Sequence, residues 1–170
     1  MAAAGLKAAV LLFFGVVVQA TVVGSIGLFG GSPDLVLVLV VAVALLNGSM
    51  FGAFAGFWAG LLLDVAMLET LGFTSLLLTL LGFWVGRYGE TTGRGRAHAP
   101  LLSVGVGTVL YALGSLILHF MLGDPASARV TLLEALPPEV VLNLVLAFPV
   151  FALCQRLFAP AQSRPEVEFG

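Results

Sequence analysis

Charge is the scarcest property of this chain. Of 170 residues, 9% are Asp, Glu, Lys or Arg and 60% are hydrophobic, where soluble domains carry roughly 25% charged residues. With a mean hydropathy of +1.13, the chain reads as an integral membrane protein with little mass outside the bilayer. Two tyrosines and two tryptophans, with little period-two alternation, are too few for the girdles of a transmembrane barrel. The single cysteine, Cys154, excludes an intramolecular disulfide and a cysteine metal site, and reads as a small buried hydrophobe. His119 has no second histidine at metal spacing, which argues against a metal ligand. A net charge of −2 carries no electrostatic footprint for nucleic acid. No H-E-x-x-H, nucleophile elbow or Walker lysine is present, and Thr92-Gly-Arg-Gly-Arg96 is too short and too basic for a phosphate-cradling loop. The expectation is a protein that is not an enzyme and carries no cofactor or metal.

What the chain does have is glycine at a regular interval. Gly48, Gly52, Gly56 and Gly60 recur every fourth residue, and Asp64 is the next step. At 3.6 residues per turn these five positions form one slightly drifting stripe on a helix. The other faces carry Phe51, Phe54, Phe57, Trp58, Leu61 and Leu62, which suit lipid or the grooves of neighbouring helices. In water so much glycine weakens a helix. In a bilayer it lets helix backbones approach closely.

Taken in order, the first apolar span covers residues 6–28. Lys7 followed by an apolar run and Val18-Gln19-Ala20 also suits a signal peptide, but the run continues through Val23 and further apolar spans follow, so a retained span is expected. Gly30-Gly31 then leads to Ser32-Pro33-Asp34, which predicts a helix start with Ser32 as N-cap, Pro33 at the first helical position and Asp34 against the positive end of the dipole. One helix over 34–68 would measure about 52 Å, too long for a single crossing. The turn signal Asn47-Gly48-Ser49 divides it into spans 34–47 and 49–68. Span 72–86 opens at Gly72. A polar connection containing Arg87, Glu90, Arg94 and Arg96 leads to span 101–122. A short interfacial helix is expected over 125–136, ended by Pro137-Pro138. The last span covers 139–158 with a kink at Pro149, and 159–170 reads as a disordered cytoplasmic tail. The fold class is therefore an all-α membrane bundle of six transmembrane helices forming one domain, 1–158.

Charge placement orients it. With the N-terminus inside, Lys7, Arg87, Arg94, Arg96, Arg156 and Arg164 fall on the cytoplasmic side and Arg129 alone outside, as the positive-inside rule requires. Both termini are then cytoplasmic.

Pro33-Asp34 followed by apolar residues, the glycine ladder ending in Asp64, a short acidic loop and Gly72-Phe-Thr-Ser75 together resemble the rod shape-determining protein MreD family. Length and span count match along the whole chain, while the specific motif lies in residues 33–75. The resemblance implies a non-enzymatic subunit of the bacterial cell-elongation machinery in the cytoplasmic (inner) membrane. It implies a bitopic MreC-like partner, with MreB-like filaments and peptidoglycan synthases engaged indirectly. It also implies a fold like that of the six-helix substrate-binding components of energy-coupling-factor vitamin transporters, which makes a small-molecule binding component the alternative function.

Two uses of the stripe stay open. It packs internally against span four or span two, as small-residue seams do in most bundles, or it docks a partner's transmembrane helix. The partner-binding candidates are Gly48, Gly52, Gly56, Gly60, Asp64 and Phe57; the structural candidates are Pro33, Asp34, Asn47, Gly72 and Pro149. Asp64 at the end of span three suits a helix cap or a partner contact. Gln19, Asn143 and the Ser/Thr residues at 74, 75, 79, 103, 108 and 115 suit interhelical hydrogen bonds or the lining of a cavity. Arg87, Arg94 and Arg96 suit anchors on anionic lipid.

Overall fold

A computed structural model describes residues 2–21, 32–68, 70–92, 99–121, 123 and 136–158. Six helices are present among them: α1 (Ala2–Thr21), α2 (Leu35–Asn47), α3 (Ser49–Met67), α4 (Phe73–Thr92), α5 (Ala99–Met121) and α6 (Leu136–Phe158). Three of these, α3, α5 and α6, are long and apolar enough to cross a membrane, and α2 and the apolar part of α1 (Gly5–Thr21) are shorter. The end of the first span, the expected interfacial helix up to 135, Arg94, Arg96 and the tail lie outside the described residues.

The bundle is organised around α2. This 13-residue helix is a run of Leu, Val and Ala ending in Asn47, about 20 Å long and short of the roughly 30 Å hydrocarbon core. Branched valines are indifferent helix formers in water. Away from water every backbone group must bond within the segment, which favours the helix regardless. Every residue from Val36 to Leu45 is buried. The other five helices all touch α2, and they surround it in the order α1, α3, α4, α5, α6. A short central helix is thus sheltered by its neighbours.

The exterior is apolar, unlike that of a soluble protein. Phe13, Phe14, Phe54, Trp58, Trp84 and Phe148 lie exposed, while Gln19, Asp34, Asp64, Thr74, Thr108 and Asn143 are buried. An apolar exterior over a polar-tied interior is what lipid as solvent selects.

Helix boundaries depart from the sequence expectations in instructive ways. The N-cap of α2 is Asp34, not Ser32: its backbone is non-helical (φ −105°, ψ 87°) and its side chain accepts from the Leu37 N–H at 2.9 Å. Pro33 therefore precedes the cap instead of occupying the first turn. Helix α1 begins at Ala2, and Lys7 is accommodated because its Nζ reaches the Leu157 carbonyl near the end of α6 (3.1 Å). Helix α4 continues past Gly86 to Thr92, since the polar residues that follow Gly86 do not themselves break a helix. Pro137 and Pro138 lie in the first turn of α6, where a missing N–H costs nothing, so the last span opens at Leu136 and not at 139. Pro149 sits inside α6 and withdraws the donor that would otherwise bond Val145.

At the α2–α3 junction, Gly48 adopts φ 101°, a left-handed conformation suited to glycine. Its N–H donates to Ala44 (2.8 Å) and the Asn47 side chain donates to Val43 (3.0 Å), which closes α2 just before Ser49 opens α3.

Candidate functional site

The glycine stripe is filled from within the chain. A methyl group added at Gly52 would overlap the Gly82 carbonyl, one at Gly56 the Leu78 carbonyl, and one at Gly60 the Ser75 backbone. The relation is mutual: a methyl at Gly82 would meet Gly52, and one at Gly86 would meet Ser49. Helices α3 and α4 thus lie backbone to backbone, close enough for Cα–H···O contacts, held mainly by dispersion. Of the two uses left open, internal packing against span four is the one found at Gly52, Gly56 and Gly60, where α4 occupies the stripe.

Carboxylates tie both ends of this seam. Asp64, fully buried, accepts from the backbone N–H groups of Gly72 (2.8 Å) and Thr74 (3.1 Å), with Ser75 at 3.5 Å. It thereby caps the start of α4, where orphan donors and the positive dipole end favour an anion. Gly72 reaches this cap with φ 91°. At the other end Glu90 of α4 accepts from both the backbone N–H (2.8 Å) and the hydroxyl (3.0 Å) of Ser49, so α4 caps the start of α3. Midway, the Ser75 hydroxyl donates to the Phe57 carbonyl (3.0 Å). Sequence reasoning missed Gly82, Gly86 and Glu90. The four-residue spacing of Gly82 and Gly86 was the available signal for a second stripe facing the first.

A second polar cluster ties α1, α5 and α6 to the start of α2. Gln19 donates to the Pro33 carbonyl (3.2 Å) and accepts from the Leu35 N–H (2.8 Å). Asn143 accepts from the Asp34 N–H (2.7 Å) and donates to the Thr108 hydroxyl (3.1 Å). These buried groups are hydrogen-bonded to one another, as buried polar groups generally are. His119 packs its edge on Phe73 (4.9 Å) and bonds the Ser115 carbonyl through Nδ1 (2.9 Å). No group of three or more His, Cys, Asp or Glu able to hold a metal ion occurs among the described residues.

What the seam leaves open is the opposite face of α3. Between α1 and α3 runs an apolar groove of about 600 Å³. Its α1 side is small apart from Leu12, with Gly5, Ala8 and Ala9, and its α3 side is large apart from Ala55, with Met50, Phe51, Phe54 and Trp58. Phe57 flanks it, its ring edge-on to Trp58 at 5.7 Å and 44% exposed. A small-residue side beside a bulky one is the shape a transmembrane helix packs into.

A model of the family described as rod shape-determining protein MreD matches residues 3–157. No curated protein sequence and no solved structure matches the chain.

Proposed function

Because the chain belongs to the family of rod shape-determining protein MreD, we propose that it is a six-span scaffold of the cell-elongation machinery in the bacterial cytoplasmic membrane, N- and C-termini inside. Family membership carries a role in determining rod shape. The finer reading is that the bundle seats the single transmembrane helix of an MreC-like bitopic partner, and through it supports peptidoglycan synthesis alongside MreB-like filaments.

The observation that carries this reading is the α1–α3 groove. The glycine seam consumes one face of α3 in building the bundle, and on the other side Met50, Phe54 and Trp58 of α3 stand beside the small residues of α1. Exposed aromatic side chains of this size make strong anchors for a partner. The scaffold role then divides between two faces of one helix: Gly52, Gly56 and Gly60 make α3 rigid against α4, and Phe54, Phe57 and Trp58 meet the partner.

A photo-crosslinking residue placed at Phe54 tests it in the native membrane, with Phe148, exposed on α6, as the control position. A covalent adduct with a bitopic membrane protein from position 54 and none from position 148 supports the docking face. Adducts from 148 alone move the partner to α6. Co-purification of ATPase subunits and a transporter coupling protein contradicts the scaffold and favours a substrate-binding component.

A further inference from the structure

A second, narrower groove of about 180 Å³ lies between α4 and α5. Leu81, Trp84 and Tyr88 form one wall, and Ser103, Val106 and Gly107 the other. Thr21, Thr79 and Thr108 all return their hydroxyls to the carbonyl four residues back, the usual way a helix in lipid silences a hydroxyl. Ser103 does not. It is 5% exposed yet makes no hydrogen bond with any described residue. Among the described residues no fully enclosed side-chain oxygen or nitrogen lacks a partner, so the Ser103 hydroxyl opens onto the groove it lines. The Tyr88 phenol, toward the Thr92 end of α4, likewise has no hydrogen-bond partner among the described residues.

One helical turn beyond Trp84 stands Arg87, its side chain 64% exposed. The nearest carboxylate oxygen among the described residues, on Glu90, is 3.6 Å away, beyond hydrogen-bond range, and the other Glu90 oxygen is engaged by Ser49. The guanidinium therefore has donors to spare. Trp84, 64% exposed at the mouth of the groove, is a side chain suited to the level where acyl chains give way to headgroups.

We propose that this groove is a binding site for an anionic phospholipid. One acyl chain lies along Leu81, Val106 and Gly107, the glycerol-ester region meets the Ser103 and Tyr88 hydroxyls, and the phosphate meets Arg87. Charge and narrowness favour this occupant. The groove has about a third of the free volume of the one between α1 and α3, and an exposed guanidinium stands one turn from Trp84 at its mouth, which suits a slender apolar chain carrying a phosphate. The site is independent of the partner-docking reading, since it uses neither α1 nor α3.

The full chain carrying Trp58→Phe, with Trp84 as the sole tryptophan, is reconstituted in phosphatidylcholine vesicles. Trp84 fluorescence is followed as acyl-brominated phosphatidylglycerol, or acyl-brominated phosphatidylcholine, replaces the host lipid. The expected result is half-maximal quenching at about a fivefold lower mole fraction of the anionic lipid, the preference one basic residue confers near a membrane surface. Arg87→Gln brings the two lipids together, and Val106→Phe, at an exposed lining position, removes the preferential phase. Val145→Phe, exposed on α6, leaves it unchanged. Superimposed curves for the two lipids in the unsubstituted groove overturn the site, as does a preference that survives both Arg87→Gln and Val106→Phe.

Discussion

The Asp64 Oδ2 atom and the Gly72 N–H meet at 2.8 Å, so the end of α3 holds the beginning of α4. Glu90 reverses the arrangement at the other end, accepting from Ser49. Between these two caps the helix backbones touch through facing glycines. A capped, close-packed antiparallel pair of this kind is the rigid unit on which the rest of the bundle and its proposed docking face depend.

Asp64→Ala strips α4 of its cap and leaves buried donors unsatisfied. The expected loss is about 2 kcal/mol, combining a lost N-cap with desolvated N–H groups. Asp64→Asn keeps one acceptor oxygen and loses less. Reversible unfolding in mixed micelles, followed by far-ultraviolet circular dichroism, measures both.

Gly56→Ala forces a methyl group into the Leu78 carbonyl and is expected to cost about 1–3 kcal/mol, the usual penalty of overpacking. Gly56→Leu separates α3 from α4. Gly52→Ala and Gly82→Ala both press on the contact between residues 52 and 82, so their double variant is expected to lose less than the sum of the two. A double-mutant cycle on the same unfolding signal shows whether the coupling is there.

These glycines also show how far the sequence was legible. The ladder, the break at Gly48 and the acid at its end stand out because glycine spacing and a turn signal are local patterns. Which helix fills the stripe is a relation between distant segments, and only Gly82 and Gly86 encode it. Ser32 was the cap expected from the local sequence, whereas the observed cap, Asp34, has its N–H held by the Asn143 oxygen, 109 residues away and invisible to a local pattern. The reach of α4 to Thr92 was hidden for another reason: polarity marks where a chain leaves lipid, and a helix need not end there.

Asn143→Leu removes a group that serves the Asp34 N–H and the Thr108 hydroxyl together. Thr108 keeps its bond to Val104, whereas the Asp34 N–H loses its acceptor. The expected destabilisation is about 1–2 kcal/mol, in the range of interhelical hydrogen bonds in membranes. Faster amide hydrogen exchange at Asp34 and Leu35, with α3 and α4 unchanged, is the accompanying signature.

Gly5 separates the docking face from the seam most cleanly, since a Cβ added there meets nothing within 4 Å while Gly5 lines the α1–α3 groove. Gly5→Trp is therefore expected to leave the unfolding midpoint unchanged and fill the groove.

The decisive measurement is quantitative co-purification of the bitopic partner with wild-type chain and with Gly5→Trp, in gentle detergent, after matching the two for folded yield. The account predicts stoichiometric recovery with wild type and at least a tenfold drop with Gly5→Trp, a loss of about 1.4 kcal/mol or more of binding. Undiminished recovery with the groove filled contradicts docking between α1 and α3.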